Sequence, residues 1–464
     1  MNRVRLNRED EGRMQLRRWR PRPFPVFLLF LLFIGFWPMG HSSGSPSAGP
    51  QIRGESGIKT RIRPGLEVFL AKHLDLVKGK KVGLLTNPAS VDSELRSEVE
   101  ILARHPGVNL VALYGPEHGH GGQAQAGQSV SYYIDSQYHI PVFSLYGQTG
   151  KTIPGTPKDI DATMRSFDTT NTGKVPERAM VQDIDVMIFD LQDIGTRVYT
   201  YISSMALAMQ VCAEVGVEFI VLDRPNPITG SIMEGPILEY PQFSSFVGLY
   251  PVPLRHGMTA GELARLFNER FLEKKVALTV IPLEGWRREM WYDQTALPWV
   301  FPSPNMPTLD TATVYPGQVL LEGTNLSEGR GTTKPFELFG APWIDGYELA
   351  KRLNELGLPG VRFREAWFTP TFSKFQGERC RGAQVHVIDR AVFRPFQATL
   401  HIIKTVRDLY PDKFQFHEEY FDRMMGTDKV RKALQSGVPV PDIVRDLKKG
   451  LEEFDALRQA YLLY

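Results

Sequence analysis

The chain has 464 residues, of which 42% are hydrophobic and 23% are charged, and its formal net charge at pH 7 is +2. This length is enough for two or three domains, and the composition is that of a soluble globular protein. Because eight arginines and only three acidic residues lie within residues 1–22, the rest of the chain is mildly acidic, and we predict no nucleic-acid-binding surface.

The N-terminus has the pattern of an export signal. The arginine-rich segment is followed by an apolar stretch at 24–37 and by small polar residues at 41–49, an order typical of a signal peptide. The apolar stretch is shorter than the roughly 20 residues that span a membrane, but no A-x-A cleavage site is visible, so a retained signal anchor is the alternative. We therefore predict a signal peptide or membrane anchor in residues 1–40, a linker in 41–57, and an exported body that is periplasmic or extracellular.

The first half of the body, residues 58–250, is predicted to be a doubly wound α/β domain. Its five short apolar runs lack polar alternation, which is typical of strands buried on both faces of a parallel sheet. The runs are VGLLT (82–86), LVALY (110–114), PVFSLY (141–146), VMIFDL (186–191) and FIVLD (219–223). Helical spacing between them, at 94–104 and 201–215, predicts helices that cover the sheet.

The second half, residues 251–464, is predicted to be a second α/β domain. Thr259 is a predicted N-cap of a helix that ends near Phe271. Strands are predicted at 277–283 and 383–389, and two helical stretches are predicted to close the chain.

Two long segments in this half lack clear periodicity, LPWVFPSPNMP (297–307) and GTNLSEGRGTTKPFE (323–337). Loops of this length inside a compact domain are usually functional or disordered. Since these contain aromatic residues, we predict that they are ordered and functional.

The chain contains two cysteines, Cys212 and Cys380. Both are predicted to be unpaired thiols that pack as small apolar residues, with a disulfide as the alternative in an exported protein. A four-cysteine metal site is excluded.

Polar or ionisable side chains follow nearly every predicted strand of the first half. In open α/β sheets, ligands bind beyond the carboxyl ends of the strands, so we expect these side chains to gather at one edge and form a ligand site. They are Asn87, Glu117, His118, Asp190, Asp193, Arg197, Asp223, Arg224 and Asn226.

Structural roles are the alternatives for several of these residues. Asp190 could cap a helix or bind loop amides, and Asp223 and Arg224 could form a structural ion pair. His118 and His120 could bind a metal, but their spacing matches no standard zinc motif. A Walker A loop, a G-x-G-x-x-G fingerprint and a G-x-S-x-G elbow are absent from the sequence, which argues against phosphate cradling, dinucleotide binding and α/β-hydrolase chemistry.

The loop GPEHGHGG (115–122) is the strongest candidate for chemistry. It places Glu117 directly behind a predicted strand, and its glycines allow a ligand to approach the backbone closely. A carboxylic acid on such a loop, with further acids on neighbouring strand ends and many aromatic residues, suits glycoside hydrolysis, in which one acid protonates the glycosidic oxygen.

Six segments of the chain resemble those of the NamZ/YbbC-type exo-β-N-acetylmuramidases, a family of glycoside hydrolases. They are GLLTNPAS (83–90), YGPEHG (114–119), DLQDIGTRVYTY (190–201), LDRPNP (222–227), LRHGMTAGEL (254–263) and PSPNMPTLDTATVYPG…EGTNLSEGRGTTKPFE (302–337). The segments are long and unusual, and the resemblance covers roughly residues 60–464.

The resemblance implies a Rossmann-like N-terminal domain, a smaller C-terminal α/β domain and an active site in the cleft between them. It also implies release of N-acetylmuramic acid from the non-reducing ends of peptidoglycan fragments, in cell-wall turnover and without a metal or organic cofactor. The acid of the family's GPEHG motif corresponds to Glu117, which is therefore the predicted general acid, with Asp190 or Asp193 as its partner.

Substrate-binding roles are predicted for ten further polar residues. They are Asn87, His118, Arg197, Asp223, Arg224, Asn226, His256, Asn305, Glu328 and Arg330. Muramic acid carries a lactyl carboxylate that a guanidinium can bind with two hydrogen bonds. Arg330 is the first candidate for this contact and Arg197 is the second.

Two other functions fit the same residues. A muropeptide-binding protein would use the same cleft without catalysis, and turnover of a chromogenic muramide would distinguish it from an enzyme. A metal-dependent hydrolase of amides or esters would use His118 and His120 and would be sensitive to a chelator. The sequence leaves open whether the mechanism inverts, retains or uses the substrate's acetamido group, and it leaves open the chain-length preference and the oligomeric state.

Overall fold

The computed structural model of the chain describes residues 61–125, 128, 130, 132–145 and 178–464. The predicted export signal and linker lie outside these residues. Within the described ranges, no helix is long and apolar enough to cross a membrane.

Twelve strands are found among the described residues. They are β1 (Lys81–Thr86), β2 (Asn109–Gly115), β3 (Tyr133–Ile134), β4 (Pro141–Ser144), β5 (Val186–Asp190), β6 (Glu218–Leu222), β7 (Glu234–Ile237), β8 (Pro253–Arg255), β9 (Leu278–Ile281), β10 (Leu338–Ala341), β11 (Val361–Phe368) and β12 (Cys380–Val387).

Twelve α-helices are found in the same ranges. They are α1 (Gly65–Lys72), α2 (Glu98–Arg104), α3 (Arg178–Val181), α4 (Tyr201–Val215), α5 (Ala260–Arg270), α6 (Leu309–Gln318), α7 (Gly346–Glu355), α8 (Pro395–Leu409), α9 (Glu418–Met425), α10 (Lys429–Gln435), α11 (Val440–Asp446) and α12 (Lys448–Arg458).

A seven-stranded sheet forms the centre of the fold, in the order β3-β4-β2-β1-β5-β6-β9. Only β3 is antiparallel to its neighbour; the other strands run parallel. All five apolar runs of the first half are strands of this sheet, and β5 is buried along its whole length. The doubly wound, Rossmann-like class is therefore confirmed.

Local side-chain contacts explain where two of the helices begin. Thr259 caps α5 as predicted, since its Oγ1 accepts the N–H of Glu262 and the Glu262 carboxylate accepts the N–H of Thr259, which is a capping box. Helix α2 begins at Glu98, later than predicted. The Asp92 carboxylate accepts the backbone N–H groups of Glu94 and Arg96 and holds this stretch in a turn.

One predicted strand belongs to a different sheet from the one expected. The run at 277–283 contains β9, which pairs in parallel with β6 and places Val280 opposite Val221. The large sheet thus continues past residue 250, where the sequence analysis had ended the first domain. β9 is therefore the edge strand of the sheet on this side.

The C-terminal part contains a smaller antiparallel sheet in the order β10-β12-β11. It packs against α7, and α8 packs against α7 in turn. These elements form the predicted smaller α/β part. Five helices follow β12 instead of the two predicted stretches. Gly426 and Gly437 adopt left-handed backbone conformations, with φ of 78° and 79°, and break the closing segment after α9 and α10.

Apolar side chains are buried on both faces of the large sheet. One face packs against α1 and α2. The other face packs against α4 and α5 in a cluster that continues into the C-terminal part. Cys212 and Cys380 are buried and unpaired, as predicted.

Candidate active site

Strand β2 carries the glycine loop that positions Glu117. A side chain at Gly115 would place a Cβ 2.4 Å from the backbone nitrogen of His120, so only glycine lets the loop fold back on the strand. His118 and Gly119 both have positive φ, at 75° and 76°. The loop is a tight turn that directs the Glu117 side chain toward the N-terminal end of α4, where the Thr200 hydroxyl donates a 2.7 Å hydrogen bond to Glu117 Oε2.

Glu117 lies in a cavity between the large sheet and the C-terminal loops. Its lining combines two carboxylates, one guanidinium, one imidazole, hydroxyl and amide groups, and apolar side chains. The polar lining residues are Glu117, His118, Tyr199, Thr200, Tyr201, Ser303, Asn305, Tyr315, Glu322, Arg330 and Tyr420. The mixture of polar groups and aromatic walls can bind a sugar ring and supply it with a proton.

His118 is buried beside Glu117, and its burial favours the neutral imidazole. Burial lowers the pKa of His118, and the opposing effect of Glu117 does not reverse this. Its Nδ1 lies 2.7 Å from the carbonyl oxygen of Ala124, so Nδ1 carries the proton and donates it. No group of three or more histidine, cysteine or acidic side chains that could hold a metal is found in the described part of the chain.

Arg330 and Glu322 form an ion pair in the cavity wall. Arg330 Nη2 donates to Glu322 Oε1 at 2.7 Å, and its guanidinium lies 4.9 Å from the ring centre of Phe336. Tyr420 donates to the other oxygen of Glu322 at 2.9 Å. Burial opposes the charge on Arg330, but Glu322 and Glu328 outweigh it and raise the pKa of Arg330.

Glu328 lies behind this pair and completes its charge balance. Its Oε1 is 3.5 Å from Arg330 Nε, and its Oε2 is 3.2 Å from Lys374 Nζ. The carboxylates of Glu322 and Glu328 therefore balance the positive charges of Arg330 and Lys374. Glu328 supports Arg330 and does not line the cavity.

The Pro-rich segment 297–307 is fixed to the sheet by Asn87 and Tyr201. Both donate to the carbonyl oxygen of Pro302, at 3.1 and 2.5 Å. Asn305 on the same segment donates to Gln125 Oε1 at 3.0 Å. Asn87 thus positions one cavity wall, whereas Asn305 lies in the wall itself, and the prediction that this segment is ordered is confirmed.

Asp190 does not lie beside Glu117, contrary to its predicted role as a catalytic partner. It is fully buried, and both of its oxygens accept hydrogen bonds from Arg224, with Nη2 at 2.8 Å. The buried Glu98 lies next to this pair, and burial followed by the charge of Asp190 raises the pKa of Glu98 well above its ordinary value. Asp190 and Arg224 form the ion pair that had been considered for Asp223 and Arg224.

Asp193 also bonds within the protein. Its Oδ2 accepts the N–H of Gly195 at 2.7 Å and lies 3.2 Å from Nε2 of the fully buried His256. Asn226 donates to the carbonyl of Met258 at 2.9 Å. These side chains join the loops that follow β5, β6 and β8, and they do not reach the cavity.

Asp223 serves as an anchor for the end of the chain. Its carboxylate accepts the Thr259 hydroxyl at 2.7 Å, the N–H of Gly261 at 2.8 Å and the Tyr464 hydroxyl at 2.8 Å. These hydrogen bonds connect the end of β6, the start of α5 and the last residue of the chain. The role of Asp223 is therefore structural.

Arg197 cannot present its guanidinium to a ligand. It is 1% exposed, and its two terminal nitrogens donate to the carbonyl oxygens of Pro236, Val252, Met424 and Met425 at 2.8–2.9 Å. Burial lowers the pKa of Arg197 to about 9. Arg197, the second candidate for binding the lactyl carboxylate, therefore links the carbonyls of Pro236 and Val252 to α9.

Of the predicted site residues, the structure brings Glu117, His118, Asn305 and Arg330 into one cavity. Thr200, Glu322 and Tyr420 also line the cavity and were not predicted from the sequence. Glu322 is the first residue of the segment EGTNLSEGRGTTKPFE, and Thr200 lies in DLQDIGTRVYTY, so membership of these segments was the available signal. Neither follows a strand directly, and the strand-end rule therefore did not select them.

Comparison with known proteins adds the following findings. A family model of the N-terminal part of the exo-β-N-acetylmuramidase NamZ matches residues 82–174 and 165–310. A model of its C-terminal part matches residues 313–464. A peptidoglycan β-N-acetylmuramidase NamZ from Bacillus subtilis (strain 168) is 46% identical over 437 residues, which cover 94% of this chain and 99% of that protein.

Two crystal structures of DUF1343 family proteins from Bacteroides fragilis NCTC 9343 have the same fold. One is 38% identical with a TM-score of 0.76, and the other is 29% identical with a TM-score of 0.66. Each comparison covers 87% of this chain and 99% of the other.

Proposed function

The chain belongs to the NamZ family of exo-β-N-acetylmuramidases, and we propose that Glu117 is the general acid of its reaction. The enzyme is a glycosidase that releases N-acetylmuramic acid from the non-reducing end of peptidoglycan fragments in cell-wall recycling. The observation that carries the assignment of Glu117 is its position in the cavity, on a glycine loop and hydrogen-bonded to Thr200.

The surroundings of Glu117 suit proton donation to a glycosidic oxygen. The Thr200 hydroxyl holds Oε2 and thereby fixes the carboxyl group's orientation. His118 is kept neutral by burial and places no positive charge beside the acid. A general acid of this kind typically contributes a factor of about 10²–10⁴ to the rate.

Glu322 is the second carboxylate of the reaction in this proposal, in place of Asp190 or Asp193. It lines the same cavity as Glu117, and Arg330 and Tyr420 hold its two oxygens in a fixed orientation. The transition state of glycoside hydrolysis resembles an oxocarbenium ion. A fixed carboxylate in the same cavity stabilises this positive charge without moving.

Arg330 is proposed to select muramic acid through its lactyl carboxylate. It is the one guanidinium among the cavity-lining residues in the described part of the chain. Its Nε and Nη2 bind Glu322, whereas Nη1 has no partner within the described residues. Two N–H donors on Nη1 can therefore bind the lactyl group.

Export of the enzyme is also part of this proposal. The arginine-rich segment and the apolar stretch at 24–37 support a signal peptide or an uncleaved anchor, with the body in the periplasm or outside the cell. A topology reporter fused after Tyr464 tests this. We expect activity outside the cytoplasmic membrane, and activity confined to the cytoplasm would contradict it.

Hydrolysis of natural disaccharides and of a chromogenic muramide by wild type and Glu117→Gln tests the role of Glu117. The amide keeps the size of the side chain but gives up no proton, so natural disaccharides should be cleaved about 10²–10⁴ times more slowly. Substrates with an activated leaving group should be partly spared. Glu273→Gln, an exposed glutamate on the same protein, is the matched control. Cleavage of disaccharides by Glu117→Gln within a few-fold of wild type would contradict the assignment.

A further inference from the structure

A second concave site lies on the same Pro-rich segment as the catalytic cavity. Its lining includes Leu95, Tyr292, Trp299 and Leu309, and its volume is about 590 Å³. Small-molecule sites typically enclose roughly 300–1,000 Å³. None of the groups discussed above for the reaction lines this groove.

The groove and the cavity are close together because one segment lines both. Trp299 lies in the groove and Ser303 lies in the cavity, and four residues span at most about 14 Å. Further along, Met306 lines the cavity and Leu309 lines the groove. The two sites therefore lie within the length of a short saccharide.

The groove has the chemistry of a carbohydrate platform. Tyr292 and Trp299 meet edge to face with ring centres 5.0 Å apart. The indole nitrogen of Trp299 is closed to solvent and has no hydrogen-bond partner among the described residues. Leu95 is 56% exposed, and its backbone has a φ of 65°, so an apolar side chain is held at the groove edge in an unfavourable backbone conformation.

The charges of the groove indicate which part of the substrate fits. Its lining includes the acids Glu94 and Asp293, which pair with Arg61 and Arg390, and within the described residues no basic side chain lines it. The charges at the groove are therefore balanced, and its lining offers no cation to bind the carboxylates of a stem peptide. The neutral N-acetylglucosamine units of a glycan present apolar C–H faces to aromatic rings and hydroxyl groups to carboxylates.

We propose that this groove binds the glycan on the reducing-end side of the scissile bond, beginning with its N-acetylglucosamine. This inference rests on the proposed function, since it takes the cavity of Glu117 as the site of cleavage. The groove gives the enzyme a preference for longer fragments over simple muramides.

The test compares wild type with Trp299→Ala on two substrates, an aryl muramide and a tetrasaccharide that begins with N-acetylmuramic acid. The ratio of kcat/KM for the tetrasaccharide to that for the aryl muramide should fall about tenfold, the upper range for loss of one aromatic contact. Trp367→Ala is the matched control, because Trp367 is an exposed tryptophan on β11 that lines neither the groove nor the cavity. It should leave the ratio unchanged.

Leu95→Asn provides a second variant in case Trp299→Ala does not fold. Leu95 is exposed, and asparagine tolerates its positive φ, so the ratio should fall without loss of stability. Calorimetric binding of the tetrasaccharide to Glu117→Gln, with and without the groove substitutions, gives the same comparison without turnover. An unchanged ratio and unchanged tetrasaccharide affinity would overturn the proposal. A wild-type protein that binds the tetrasaccharide through the groove but does not cleave the aryl muramide would instead contradict the proposed function.

Discussion

The preference for muramides over glucosaminides is predicted to depend on Arg330. Replacing Arg330 with lysine keeps one positive charge but removes Nη1, the donor proposed for the lactyl carboxylate. A hydrogen bond between charged groups contributes about 1.5–3 kcal/mol, and a tenfold change corresponds to about 1.4 kcal/mol. We therefore expect the ratio of kcat/KM for an aryl muramide to that for the matching aryl N-acetylglucosaminide to fall roughly 10- to 150-fold.

The ratio is the informative quantity because Arg330 also holds Glu322. Loss of that contact slows both substrates and cancels in the ratio, whereas loss of the lactyl contact affects the muramide alone. Arg352→Lys, on the exposed face of α7, is the control and should leave the ratio unchanged. A folded Arg330→Lys enzyme that retains the full preference for muramides would refute the assignment.

Three further predictions follow from contacts of the site and its surroundings. Thr200→Val removes the hydroxyl that orients Glu117, so kcat on natural disaccharides should fall about tenfold with little change in KM; an unchanged kcat would exclude this positioning role. Arg197→Met leaves four buried carbonyls without their donor, and urea denaturation should show a loss of at least about 3 kcal/mol in the free energy of unfolding. Burial lowers the pKa of His118 in the folded state. The neutral imidazole therefore contributes stability at pH values above the unfolded-state pKa of about 6.5, and this contribution is lost as the pH falls through the lowered folded-state pKa. The drop in Tm between pH 7.5 and pH 5.5 should accordingly be smaller in His118→Asn than in wild type, and equal drops would contradict this.

The elements of the large sheet could be predicted because their signals are local. An apolar run without alternation indicates a strand buried on both faces, and Thr259 with Glu262 indicates a helix start. The partner of β9 could not be predicted in this way. The run at 277–283 has the same composition whichever sheet it joins, and its pairing with β6 depends on contacts about 60 residues away in sequence.

The two proposed catalytic carboxylates, Glu117 and Glu322, were predictable from the sequence only in part. Glu117 stands directly behind a strand and on a glycine loop, so its surroundings are encoded within eight residues. Glu322 lies in a 3-10 turn between α6 and the long loop, and its approach to Glu117 arises from packing of the C-terminal part on the large sheet. No local pattern distinguishes it from Glu328, which also lies next to Arg330 but does not line the cavity.

The position of the cavity also shows why most strand-end residues do not serve the site. The strand order reverses between β1 and β5, and the crevice at such a point is where ligands of open sheets usually bind. Here Asn87 at the end of β1 binds the protein's own Pro302 carbonyl, and Asp190 at the end of β5 is paired with Arg224. Buried charges require such partners, so the crevice is filled and its polar groups are satisfied. The proposed substrate cavity lies instead beyond the end of β2, where Glu117 on the glycine loop shares it with side chains of the C-terminal part.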